Sequence, residues 1–333
     1  MKFVSITFLA LLLLAKVCSA GNEVAVYTSE DKIFAAPILQ AFEKKTGIKV
    51  RAIYDTEETK STGLVNRLIA EKDNPQADVF WSGEPVRPVL LKIKGLTTPY
   101  VSSAAADIPK IYKDTEGHWT GFSARARIIL YNSSLVSMDE RPLSIFDLAK
   151  PMWRGQVAIA NPLFGTTSIH MAALFIILGD EKAKKFMNDL KANGVKIVSS
   201  NSEVRRLVAR GEVKVGITDT DDANVAVREG SAVKIVYPDQ SGMGTLIMPN
   251  MVCLIKNSTN QENGKKLIDY LVSSEVEKSL AFAMCAQMPL RHYVGTPADV
   301  LTIAAIKGMD INYQDVAVKL DKISEFLKQW AGY

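Results

Sequence analysis

The sequence predicts an α/β fold built as two lobes with a cleft between them. Strand-type and helix-type apolar patterns alternate from residue 23 to residue 83, and the alternation restarts near residue 155. Two long β-rich runs, about 121–131 and 244–256, stand before and after the second of these stretches, and no Pro/Gly/Ser tether joins the units. Strands alternating with amphipathic helices imply parallel sheets covered by helices, and extended connections between two such units suit a hinge.

The elements follow in order. "EVAVYTS" (23–29) alternates and is β-rich, so it reads as a strand with a polar stop. "KIFAAPILQAFEKKTG" has helical spacing and ends on Gly47, a good terminator. "IKVRAIYD" is a second strand, "STGLVNRLIAEKDNP" an amphipathic helix with Ser61 or Thr62 as N-cap, and "ADVFWSG" a third strand. In such sheets ligands collect beyond the carboxyl ends of strands, here Tyr27–Asp31, Asp55–Glu58 and Trp81–Glu84. The second unit reads as strand "GQVAIAN", helices from "GTTSIHMAALFIIL" and "EKAKKFMNDLKANG", strand "VKIVSS", helix "SEVRRLVARGE" and strand "VKVGITD". Helical segments fill the stretch after residue 256. The expected division is a discontinuous lobe one, 21–122 plus 252–305, and a lobe two, 123–251. C-terminal helices, 306–333, are expected to pack across onto lobe two. Each lobe should hold a mixed sheet flanked by helices, joined by two crossing strands.

Residues 1–20 read as a secretory signal: Lys2, the apolar run 4–15, and "CSA" before Gly21. That apolar run is too short to span a bilayer. Cys18 invites a lipoprotein reading, but Lys16 stands where a small residue is wanted. The mature chain is therefore expected in the periplasm. Loss of Lys2 and Lys16 takes the formal net charge from +4 to +2, too little and too dispersed for a nucleic-acid surface. Cys253 and Cys285 remain, and a disulfide and two buried thiols are both open. No P-loop, HExxH, CxxC, GxSxG or dinucleotide fingerprint occurs, so no enzyme and no cofactor is expected. A spatial triad needs no local motif, which keeps an enzyme or a sensor module on the same fold as alternatives.

"VAVYTSEDKIFAAPILQAFEKKTGIKV", "ADVFWSGEP", "GHWTGFSARARIILYN" and "AQMPLRHYV", in this order and spacing, resemble the type II periplasmic solute-binding proteins of ABC importers. The resemblance is to the cluster of ferric-ion binders and their phosphonate- and sugar-phosphate-binding relatives. It implies a monomeric receptor that captures a small solute or ion between its lobes and delivers it to an ABC importer permease. Ferric binders of that cluster hold iron with a histidine, a glutamate and two adjacent tyrosines, plus an anion. Matched residue by residue, the histidine falls at Asp31, the glutamate at Gly83 beside Glu84, and the tyrosines at Thr220 and Asp221. The phenolates are absent. If a metal binds, the resemblance leaves Asp31, Glu84 and Asp221 to hold it, since carboxylates suit a hard cation. The family's anion site matches Gly165–Thr167, Asn201 and Thr218.

The residues themselves support a site with both polarities. Thr166 and Thr167 open a helix whose N–H groups favour an anion, or serve as an ordinary cap. Arg125 and Arg127 share a strand face; either can meet an anionic ligand or form an interlobe salt bridge. Asp219, Asp221 and Asp222 follow a strand; Asp221 is expected to meet a cation, unless Asp222 caps the next helix and Asp219 faces water. Ser29, Asp31 and Glu84 stand at strand ends. Trp81 can stack on a ligand or pack, and His118, His170 and His292 lack metal-type spacing. The expected ligand is anionic or zwitterionic, of the phosphonate or phosphate type. Ferric ion with a synergistic anion is the alternative.

Overall fold

The computed structural model describes residues 22–55 and 62–332. The signal-type segment and the Ser61 half of the cap expectation lie outside them. The N-terminal unit comprises β1 (Glu23–Thr28), α1 (Lys32–Thr46), β2 (Lys49–Tyr54), α2 (Thr62–Ala70), β3 (Val79–Ser82), α3 (Val86–Ile93) and the short β4 (Thr97–Thr98). β1 pairs in parallel with both β2 and β3, as the alternating pattern requires. α1 ends where Gly47 adopts φ 70°, a left-handed conformation that glycine takes without Cβ strain.

β5 (Thr120–Asn132) is thirteen residues long and wholly buried. The second unit follows: β6 (Val157–Ala160), α4 (Gly165–Leu178), α5 (Asp180–Ala192), β7 (Lys196–Val198), α6 (Asn201–Ala209), β8 (Val215–Asp219), α7 (Thr220–Arg228) and β9 (Val233–Val236). β10 (Ile247–Ile255) returns to the first unit, followed by α8 (Gln261–Leu271), α9 (Ser274–Phe282) and α10 (Tyr313–Ala331). The sheet path is β2-β1-β3-β10-β5-β8-β6-β7, with β4 on β10 and β9 on β5.

The join lies within β5. Residues Thr120 to Ala126 pair with β10, and from Arg127 onward the strand pairs with β8 and then β9. One strand thus serves both lobes. A register shift at Pro249/Asn250 faces Ser123, which holds φ 40°, so a bulge bends the pair before the switch. α4 is buried continuously from Thr166 to Phe175, because α5 and α10 cover it. α10 also lies against α3, so the last long helix touches elements on both sides of the join. Cys253 and Cys285 are free thiols, both buried, and burial raises both pKa values. Among the described residues no helix is long and apolar enough to cross a membrane.

Candidate functional site

The ends of β1, β3, β6 and β8 and the starts of α4, α6 and α7 meet around one cavity of about 580 Å3, its open mouth included. From the first unit it takes Ser29, Asp31, Gly83 and Glu84; from β5, Arg125. From the second it takes Asn161, Phe164, Gly165, Thr166, the run Ser199–Ser202, and Asp219, Asp221 and Asp222. The structure therefore brings together Ser29, Asp31, Glu84, Arg125, Thr166, Asn201, Asp221 and Asp222. It does not put Thr167 or Thr218 in the cavity lining. Thr167 Oγ1 accepts from Arg127 Nη2 (3.2 Å), and Thr218 Oγ1 donates to the Asn201 carbonyl (3.1 Å). Both are buried supports beneath the floor.

The two arginines of β5 organise the floor. Arg127 is fully buried. Its Nη1 donates to Asp219 Oδ1 (2.8 Å), Asn201 Oδ1 (2.9 Å) and Thr166 Oγ1 (3.1 Å). Asp219 Oδ2 in turn accepts from Thr166 Oγ1 (2.7 Å) and Asn201 Nδ2 (3.1 Å). One guanidinium thus pins the starts of α4, α6 and α7 to the strand. Asp219 does not face water: at 2 % exposure it is a buried partner of Arg127, and a charge that deep requires one. Asp222 does not cap α7 either; it sits in the first turn, where its own N–H bonds Asp221 Oδ1 (3.1 Å).

Arg125 bridges the two units. Its Nη1 lies 2.8 Å from Asp221 Oδ2, and its Nη2 donates to Glu30 Oε2. Burial acts to lower its pKa, but Asp221 and Glu30 together hold it well above the ordinary value. Arg125, a residue of the chain itself, is thus a cation that Asp221 meets. Glu30 Oε1 accepts from Gln287 Nε2 (3.0 Å). Glu84 accepts from the N–H groups of Val86 (2.6 Å) and Arg87 (3.3 Å), so it caps α3 while lining the cavity. Burial raises its pKa, against the pull of Arg87 and those N–H groups. Trp81 has no exposed surface; it packs on Phe122 and donates Nε1 to Asn250 Oδ1 (3.4 Å), so it is not placed to stack on a ligand.

Five helices begin at this cavity, α1 with Asp31 at its N-cap among them, and they differ in what stands beside their first N–H groups. Glu84 serves α3, the Ser200 hydroxyl accepts from Glu203 N at α6, and Asp221 and Asp222 occupy the first turn of α7. α4 has no acid in its first turn and no side-chain cap, because its N-cap is Phe164. Its N-terminus thus presents N–H groups and positive dipole to the cavity without an acid or a side-chain cap of its own.

A profile of the family described as bacterial extracellular solute-binding protein matches residues 74–303. The chain belongs to that family. Among its relatives is the iron uptake protein A1 of Synechocystis sp., 27% identical over 293 residues, covering 83% of this chain and 79% of that protein. The putative 2-aminoethylphosphonate-binding periplasmic protein of Salmonella typhimurium is 28% identical over 338 residues, covering 96% of each. Iron-bound HitA from Pseudomonas aeruginosa shares the fold at a TM-score of 0.84 and 21% identity, covering 93% of this chain and 99% of that one. The solute-binding protein is thus a two-lobed binding protein of the cluster anticipated from its sequence, among iron-, phosphonate- and sugar-phosphate-binding periplasmic relatives.

Sequence reasoning missed Glu30, Asn161 and the serines at 199, 200 and 202. The serines had a signal: "SSNSE" is a helix-capping run beyond a strand end. Glu30 had none, since its role depends on Arg125 arriving from a strand ninety-five residues away.

Proposed function

We propose that this solute-binding protein captures a small organic zwitterion, with a phosphonate- or phosphate-type head and a cationic tail. Acting as a monomer, it delivers the solute to an ABC importer from the periplasm and carries out no chemistry itself. In this reading residues 21–122 with 252–305 form one jaw, 123–251 the other, and 306–333 pack across onto it. The observation that carries the reading is the start of α4 in the cavity, with Phe164 at its N-cap and no acid in its first turn, whereas an acid or a capping hydroxyl stands at the starts of α1, α3, α6 and α7. The head group would take N–H groups at Gly165–Thr167 with hydroxyls of the serine run; the tail would face Asp31 and Asp222, beside the Asp221 that Arg125 holds. The Salmonella relative, named for an aminoalkyl phosphonate and aligned over 96% of the chain, supports the same class.

Calorimetry and thermal shift with 2-aminoethylphosphonate, phosphate, a hexose phosphate and Fe(III) test it. The zwitterion is expected to raise Tm with concentration and to be recovered unchanged. D221A is expected to weaken it about tenfold or more, roughly 1.4 kcal/mol. Failure of every organic anion to bind would sink the reading. A second reading, Fe(III) with an anion held through Asp31, Glu84 and Asp221, is favoured by one observation: Asp219, Asp221 and Asp222 bring ligand oxygens within 4.8 Å of one another.

A further inference from the structure

We propose that Arg125 is a built-in cation that makes the cleft specific for organic solutes, by occupying the carboxylates that a hard metal ion would need. The proposal rests on the zwitterion reading of the same cavity and concerns what that cavity rejects.

The acid cluster alone does not make a metal site, and what lies against it decides the matter. Asp221 carries the Arg125 guanidinium at 2.8 Å, and Asp219 carries that of Arg127 at 2.8 Å. Both arginine side chains are buried, 6% and 0% exposed. A guanidinium remains charged at any pH the fold survives, so neither is displaced by losing a proton. The second nitrogen of Arg125 holds Glu30, a buried carboxylate just beyond β1. A metal entering here must break buried ion pairs and then sit a few ångströms from a fixed positive charge.

An independent observation concerns Gly83, at the end of β3. A Cβ built there would lie 3.0 Å from Glu30 Oε2 and 3.5 Å from Arg125 Nη2. The ion pair fills the space through which a liganding side chain from this strand end would run. A glycine at 83 and the Glu30–Arg125 pair are therefore one arrangement. The Arg125 Nε is itself buried and makes no hydrogen bond.

Terbium(III), a hard oxygen-seeking ion, tests this by its sensitised emission. Trp81 is the sensitiser, since its Nε1 and Arg125 Nη2 share Asn250 Oδ1 at 3.4 Å each. Wild type and R125K, which keeps the charge, are expected to stay dark. R125M and R125A are expected to gain terbium affinity on the order of 100-fold, as loss of one unit charge at such range implies. Wild type binding as tightly as R125M overturns the proposal. So does a folded R125M or R125A that gains nothing, or R125K gaining as much as R125M. Should the charge-deleting variants fail to fold, wild type decides: a Tm rise with terbium or Fe(III) refutes exclusion, and none upholds it. Titration of 2-aminoethylphosphonate into wild type is separate, so loss of the zwitterion reading and loss of the exclusion proposal are told apart.

Discussion

Replacing Arg127 by methionine probes whether one guanidinium holds the cleft floor. Methionine keeps an apolar stem but removes four hydrogen bonds, to Asp219, Asn201, Thr166 and Thr167. It also leaves Asp219, 2 % exposed, with a carboxylate charge and no cation. Breaking a buried pair by removing one partner costs about 3–5 kcal/mol. At about 2 °C per kcal/mol for a chain of this size, R127M should melt roughly 6–10 °C below wild type. D219N should cost a similar amount, because it strands the arginine instead. The double variant removes both charges, so its cost should fall short of the sum by at least about 1.5 kcal/mol. Calorimetric melts of the four proteins measure this cycle. Singles costing under about 1 kcal/mol, or adding without coupling, would refute the view that the pair organises the starts of α4, α6 and α7.

Four further outcomes are expected. His170 is buried with neither ring nitrogen hydrogen-bonded, and burial, then the Arg127 charge, holds its pKa down from 6.5 to about 3. The unfolded chain protonates this residue below its ordinary pKa and the folded chain does not, so stability falls with pH across that window by up to about 1.4 kcal/mol per unit; H170L should flatten the pH dependence of urea unfolding, and an unchanged slope removes the residue from the account. Cys253 and Cys285 should resist a thiol reagent in the native state and both react in concentrated guanidinium without reductant; a loss of two hydrogens in the intact mass would contradict this. G216A places a Cβ 2.4 Å from Val204 Cγ1 and 3.1 Å from the Ala158 carbonyl, and should cost about 1–3 kcal/mol by its denaturation midpoint, where no change would show that α6 yields freely. F164D puts an acid at an N-cap with extended geometry (φ −130°, ψ 161°), so it should cap α4 from within and weaken phosphate or phosphonate binding about tenfold or more, unless the anion binds elsewhere.

The fold was legible because its signals are local. The alternation in "EVAVYT", the stop at Gly47 and the thirteen-residue run of β5 each follow from neighbours in the chain. α3 and β9 were not found: α3 carries a proline and an arginine among apolar residues, and β9 is a four-residue strand with two lysine-flanked apolar positions. The site was legible as a set of strand ends and helix starts, since those positions are fixed by topology. What sequence left open was pairing. Whether Arg125 meets a ligand or a carboxylate depends on Glu30 and Asp221, which converge on it from opposite directions along the chain. A solvent-facing Asp219 stayed open as an alternative for the same reason: nothing within ten residues announces that Arg127, on the antiparallel neighbour at the same register, points at it.

That register also bears on closure. The switch of β5 from β10 to β8 falls between Ala126 and Arg127, so Arg125 and Arg127 flank it on one strand face. Among the described residues the Arg127 side chain bonds to the second unit, whereas Arg125 holds Glu30 from the first and Asp221 from the second. Opening the lobes must strain or break one of the two Arg125 pairs, while the Arg127 cluster moves as a block. A buried pair comes close to break-even against the desolvation of its charges, so this bridge aligns the lobes without committing them to the closed state. The ligand then needs only a modest preference for the closed cleft to shift the population. On the proposed reading the α4 start would supply that preference on one unit, and Asp31, on the other, would supply it only to a ligand long enough to reach both.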